Sequence, residues 1–153
     1  MDFRLDQEDE YFRQEVKAFL DNELPPDWLG MSTSWAGYGA SGGELEGEER
    51  KAFHKKIVER GWLTMAWPKA YGGQGASYTH QYVYNEEMSY RGAPGSGGMA
   101  VTHVGPAIMA HGNEEHKKKF LGGISRGEIT FAQGFSEPGA GSDLAAVSTR
   151  AVR

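Results

Sequence analysis

Residues able to do chemistry concentrate near one end of the chain, in Phe131-Ala-Gln-Gly-Phe-Ser-Glu-Pro-Gly-Ala-Gly-Ser-Asp143. Aromatic and small residues lead into a serine-acid-proline corner and then a Gly-Ala-Gly-Ser-Asp turn. Such a turn exposes backbone N–H groups to a phosphate or carboxylate. Ser136 between Gly134 and Pro138 approaches a nucleophile elbow, but Pro138 replaces the second glycine of Gly-x-Ser-x-Gly. In that fold a histidine follows the serine, whereas no histidine lies beyond His116, so a serine hydrolase is rejected. Gly139-Ala-Gly141 lacks the third glycine of a dinucleotide fingerprint, and no alternating strands and helices precede it. His54, His80, His103, His111 and His116 fall on separate elements, and none forms a His-Glu-x-x-His pair. No metal site is expected, and these read as ordinary surface or cap histidines.

Composition narrows the classes further. The 153 residues suffice for one domain with a real core, and 39% hydrophobic with 24% charged residues is ordinary for a soluble globular protein. A formal net charge of -5 gives no electrostatic reason to expect nucleic acid as a partner. Without cysteine there is no disulfide framework, thiolate metal site or thiol nucleophile, a usage compatible with a cytoplasmic location. The first residues lack the apolar run of a signal peptide, and no membrane span is expected. Glycines are abundant and cluster at junctions (Gly37, Gly39, Gly42, Gly43, Gly72, Gly73, Gly75), which predicts short elements separated by tight corners.

The elements that must position the 131–143 segment read as helices. Asp6 opens the first, with Asp9 and Glu10 in its first turn; Phe12, Val16, Phe19 and Leu20 form its apolar face until Pro25-Pro26. Residues 27–43 have no period but carry Trp28, Trp35 and Tyr38, so this loop is expected to pack on something. A second helix over 44–60 turns Phe53 and Ile57 inward and stops at Gly61. An apolar connector over 62–68 and a glycine turn lead to Ser77, which caps a third helix running to Arg91. Its expected stripe is Tyr78, Tyr82, Val83, Met88 and Tyr90. The fourth helix, near 96–111, contains Gly105-Pro106 and should kink or turn there. Asn113 caps a fifth through Phe120-Leu121, whose Lys117, Lys118 and Lys119 read as a solvated face. Residues 128–134 form the first plausible strand, with Ile129 and Phe131 on one face.

Taken in order, Trp67-Pro-Lys-Ala-Tyr-Gly-Gly-Gln-Gly75, Gly112-Asn-Glu-Glu-His-Lys-Lys-Lys-Phe-Leu121 and Gly134-Phe-Ser-Glu-Pro-Gly-Ala-Gly-Ser-Asp143 closely resemble the acyl-CoA dehydrogenase family. The resemblance runs from about Leu5 to the end and is weakest over 27–43. It implies a mainly all-α fold: an N-terminal helical domain over 1–127, then the start of a middle β-domain over 128–153. It implies FAD, oxidation of an acyl-CoA thioester to its 2,3-enoyl product, an electron-transfer flavoprotein as acceptor and a homotetramer. By position in the signature, Gln133, Gly134, Phe135, Ser136, Gly141 and Ser142 would pass beside the flavin. Ser136 would offer its hydroxyl and N–H to the ring, with Phe135 packed beside it. Ser142 would lie along the pantetheine arm. In the family the fourth helix lines the acyl end of the pocket, which marks Met99, Thr102 and His103 as substrate-binding candidates. A histidine is an unusual lining for a plain fatty chain and suggests a bulkier or more polar acyl group.

The catalytic carboxylate of the family comes from a later part, so no residue here is assigned as the base, Glu137 included. The expectation is an N-terminal portion that is inactive when isolated. Its rivals are a split subunit completed by a partner chain and a non-catalytic helical interaction module. An acyl-CoA oxidase or a flavin monooxygenase of the same fold also remains open.

Overall fold

The computed structural model describes residues 4–25, 47–95, 97–134, 136–150 and 152. The aromatic loop expected over 27–43 lies outside them. Five α-helices occur among the described residues: α1 (Gln7–Glu23), α2 (Gly47–Glu59), α3 (Tyr78–Tyr90), α4 (Gly105–His111) and α5 (Glu114–Ser125). No described helix is long and apolar enough to cross a membrane, and no described group of His, Asp and Glu could hold a metal ion.

Local chemistry sets the helix ends. Asp6, Ser77 and Asn113 each accept the N–H three residues on, capping α1, α3 and α5. Leu24, pressed by Pro25, leaves the helical region and ends α1. At the end of α2, Gly61 takes φ 69°; Trp62 N–H bonds Ile57 O and Gly61 N–H bonds Val58 O. Gly127 repeats this arrangement after α5, with Glu128 N–H on Gly123 O and Gly127 N–H on Ile124 O. The fifth helix therefore passes the expected end at Leu121, straight through Gly122-Gly123. Gly123 is needed there because a Cβ would sit 2.4 Å from Ile129 Cδ1.

Two cores result. The larger joins Phe12, Val16, Phe19 and Leu20 of α1 to Phe53 and Ile57 of α2, to Trp62, Leu63 and Met65, and to Val83, Tyr84 and Met88 of α3. The smaller gathers Trp67, Ala100, Leu121 and Ile124, with Ile129 and Phe131 packed on its edge. The inward face of α3 differs from the expected stripe. Val83, Tyr84, Glu87 and Met88 are buried, while Tyr78, Tyr82 and Tyr90 are exposed. Helical spacing puts 83, 84, 87 and 88 on one side, and Glu87 tolerates burial because α1 supplies cations. Arg13 Nε lies 3.2 Å and Lys17 Nζ 3.8 Å from its carboxylate. Next along this seam, His80 stacks on Phe12 at 4.6 Å and its Nδ1 lies 2.7 Å from Asp9 Oδ1. His80 is thus part of the α1–α3 contact rather than an ordinary surface histidine.

No described segment forms a ladder with 128–134; its first N–H groups, of Glu128 and Ile129, go to Gly123 O. Its Ile129 and Phe131 pack on the helices instead, Phe131 against Phe120 at 6.0 Å.

Candidate functional site

The kink expected at Gly105-Pro106 is a π-helical turn, Ala100–Val104, that runs directly into α4. Its origin is Pro106. With no N–H there, neither Thr102 O in α register nor Val101 O in π register finds that donor. Gly105 N–H goes to Ala100 O, which leaves the Val101 carbonyl without a helical donor. The buried indole of Trp67 supplies one, its Nε1 donating to Val101 O at 3.2 Å. The ring reaches that carbonyl because Gly105 has no side chain; a Cβ there would lie 2.1 Å from Trp67 Cζ2. Trp67, Val101, Gly105 and Pro106 thus form one lock that fixes the turn carrying Thr102 and His103.

On that turn Thr102 and His103 are exposed and Met99 is half-buried. Thr102 Oγ1 donates to Gly98 O at 2.8 Å and lies 2.7 Å from His103 Nδ1. A hydroxyl proton committed to Gly98 O makes the imidazole Nδ1–H the donor in the second contact. Met99 shares a cavity of about 230 Å³ with Phe131, Thr130 and His54, which brings it beside the run into the 133–142 loop. Burial, and then the charge of Arg50, lower the pKa of His54.

The loop itself is organised around Glu137. Its backbone closes a tight turn on Ala140, N–H to O at 2.9 Å and O from N–H at 3.1 Å, with Pro138 in the second position. Its carboxylate reaches across to Ser148 and Thr149. Oε2 accepts from Ser148 N at 2.9 Å and Ser148 Oγ at 2.8 Å; Oε1 accepts from Thr149 N at 2.7 Å and from the Thr149 hydroxyl. These donors, the Thr149 hydroxyl foremost, hold the carboxyl pKa down at about 2. A carboxylate so engaged is a clamp and a poor proton acceptor. Ser148 and Thr149 escaped sequence reasoning because their role depends on closing a loop back onto Glu137; adjacent hydroxyl residues alone are a weak signal.

Around this clamp Gln133, Gly134, Ser136, Gly141 and Ser142 are all exposed. Phe135 lies outside the described residues. The Ser136 and Ser142 hydroxyls and the N–H groups of Ser136, Gly141 and Ser142 have no partner among the described residues. Gly134, Gly139 and Gly141 have open space where a Cβ would stand, unlike Gly105 or Gly123, and none has positive φ. Neither packing within the described residues nor backbone strain therefore requires glycine at these three positions.

Comparison with known proteins bears on the family of the chain. Residues 6–128 match the family described as "Acyl-CoA dehydrogenase, N-terminal domain". The Acyl-CoA dehydrogenase FadE26 of Mycobacterium tuberculosis is 37% identical over 145 residues, which is 94% of this chain and 34% of that protein. A short-chain specific acyl-CoA dehydrogenase of Clostridium acetobutylicum is 32% identical, covering 99% of this chain and 38% of the relative. Among solved structures, one described as "Tcur3481-Tcur3483 steroid ACAD" superposes over all of this chain and 38% of its own, with TM-score 0.78 and 40% identity. The ChsE4-ChsE5 complex from Mycobacterium tuberculosis gives TM-score 0.76 and 33% identity over 100% of this chain and 36% of its own. The chain thus spans about a third of the length of the curated relatives it matches first. Ordered motifs, helical architecture and these matches agree that the chain belongs to the acyl-CoA dehydrogenase family and carries its N-terminal helical domain.

Proposed function

We propose that this chain is the N-terminal part of a flavin-dependent dehydrogenase that oxidises an acyl-CoA thioester to its 2,3-enoyl-CoA and favours a ring-bearing acyl group. The division proposed is a helical domain over 1–127 followed by the start of a β-domain over 128–153. The clamped 136–149 loop is the main support. It holds Ser136, Gly141 and Ser142 outward with unengaged donors, on a backbone fixed by four hydrogen bonds to one carboxylate.

The exposed donors of the loop, and glycines that packing among the described residues does not require, fit a flavin and a thioester arm. FAD, when bound, supplies acceptance of the β-hydrogen as hydride. The part of this chain is to bind and orient. The Ser136 hydroxyl and N–H would hydrogen-bond the ring with Gln133 and Gly134 beside it, and Gly141 and Ser142 would lie along the cofactor edge and the pantetheine arm. Glu137, held ionised by its donors, shapes that corner and takes no proton. Met99, Thr102 and His103 would line the acyl end. The exposed imidazole of His103 suits a polar or bulkier group better than a plain chain, and the description of one similar structure as a steroid ACAD supports a ring-bearing one.

The test uses the enzyme containing this chain beside the isolated 1–153 chain. Flavin absorbance should accompany the former and be absent from the latter. Ring-bearing acyl-CoAs should be oxidised in preference to saturated straight-chain ones; a clear straight-chain preference would remove the acyl-group assignment. A second reading, favoured by the two-chain ChsE4-ChsE5 neighbour, completes the active site with a different partner chain rather than in a homotetramer. The intact mass of the assembly, one chain type or two, decides between them.

A further inference from the structure

Two cavities meet at the π turn. The larger, of about 480 Å³, lies between the 62–68 connector, α3 and the turn, with Trp62, Met65, Pro106 and Met109 on a mostly apolar wall. Its polar side chains are largely committed. Thr64 Oγ1 donates to Gly72 O at 3.0 Å, the Trp67 indole to Val101 O, Gln81 to Ala76 O at 2.9 Å and Thr102 to Gly98 O. A space whose polar groups are already satisfied favours hydrocarbon over a polar occupant. The smaller cavity, of about 230 Å³, adjoins it and holds Met99 beside Thr130 and Phe131. Residues assigned to the acyl end therefore fall on both sides, Thr102 on the larger cavity and Met99 on the smaller.

The boundary is built from three residues. Leu63, Gly97 and Val101 line both cavities. A Cβ on Gly97 would stand 2.1 Å from Val101 Cγ2 and 3.0 Å from Leu63 Cδ1, so the two aliphatic side chains converge over bare glycine backbone. Val101 also packs against both hydrophobic cores, which places it at their junction. It is a stiff partition. Its branched side chain has little rotamer freedom on helical backbone, and its carbonyl is tied to the Trp67 indole. Ligand pockets span about 300–1,000 Å³, a range that holds the larger cavity and excludes the smaller one taken alone.

We infer that Val101, closed with Leu63 over Gly97, sets how bulky an acyl end this enzyme accepts. The larger cavity takes the hydrocarbon ring of the acyl group, and Val101 shuts it off from the smaller cavity beside Phe131. This assignment deepens the acyl-CoA reading above and rests on it.

The experiment compares two acyl-CoA thioesters on the same ring skeleton, one of them carrying an added ethyl branch on the ring, with the intact enzyme. Val101→Ala joins the two cavities, and the branched-to-unbranched ratio of kcat/KM should rise about ten-fold; Val101→Ile adds a methylene to the partition and should lower it by about the same factor. Both substitutions leave the main-chain bond to Trp67 in place. A merely structural role would weaken both thioesters together, so an unchanged ratio, or a shift in the same direction in both variants, overturns the inference while leaving the dehydrogenase reading intact. Should Val101→Ala fail to fold, Val101→Ile decides alone, and an unchanged ratio there is equally fatal. Dissociation constants for the same pair separate the two readings. If the native enzyme oxidises neither thioester but the affinity ratio moves in opposite directions in the two variants, Val101 stands as the size-setting residue and the dehydrogenase reading falls. Affinity ratios equal in all three proteins overturn the inference.

Discussion

Glu137 shows how a single side chain can hold a loop without taking part in proton transfer. Four donors from Ser148 and Thr149 converge on its two oxygens, and the ordinary carboxyl value of 4.5 falls to about 2. A depressed folded pKa means that the contribution of the clamp to loop order is fully present above 4.5 and is lost as pH falls through about 2. The amide resonances of Ser148 and Thr149 should therefore hold their shifts through pH 4.5 and move with a midpoint near 2. A midpoint at 4.5 would mean that the clamp is open in solution. Glu137→Gln keeps the shape but loses the charge and turns half of the acceptor into a donor, so both amides should move toward random-coil positions at neutral pH. If they stay put, the loop is held by something other than this carboxylate.

At the scale of elements, the π turn before α4 depends on a side chain from elsewhere in the sequence. Pro106 removes the N–H that would satisfy Val101 O, and Trp67 replaces it across 34 residues. Trp67→Phe leaves that partly buried carbonyl unpaired, at a cost of about 1 kcal/mol in addition to lost packing. In a Pro106→Ala background the restored N–H can serve Val101 O, so the same substitution should cost about 1 kcal/mol less. Urea melts of the four proteins test this; strict additivity would mean that the indole bond is incidental. The same element shows what was legible in sequence. Gly105-Pro106 announced an interruption because the missing N–H is a local fact, and Asp6, Ser77 and Asn113 announced three helix starts for the same reason. The face of α3 was legible only at Val83 and Met88, because exposed Tyr78, Tyr82 and Tyr90 look as apolar as buried Tyr84, and Glu87 is buried only through Arg13 and Lys17 of a distant helix. The end of α5 was misread because Gly122-Gly123 resembles a stop, whereas Gly123 makes room for Ile129. At the candidate site the ordered motifs marked the loop, but the partners of Glu137 emerge only when the chain folds back to bring Ser148 and Thr149 onto it.

At the scale of the whole molecule, the question is where the helical body ends. The proposed boundary at 127 follows the end of α5, yet Ile129 and Phe131 both pack on the smaller core. Ile129 lies against Gly123, and Phe131 meets Phe120 edge-on. Beyond them, 141–150 is exposed throughout, and its order comes from the Glu137 clamp rather than from the helices. Energetically the body should therefore extend through Phe131, with the exposed loop as an appendage. A chain ending at residue 134 should melt with the full 153-residue chain to within a degree or so, since the loop buries little apolar surface. A chain ending at 127 loses two partly buried side chains, about 2 kcal/mol in all, and should melt on the order of 5 °C lower. Thermal denaturation followed by far-ultraviolet circular dichroism distinguishes the outcomes. Equal melting of the 127 and 134 forms would put the boundary at the end of α5. A large loss already at 134 would mean that the signature loop stabilises the helices, making the site and the scaffold one cooperative unit.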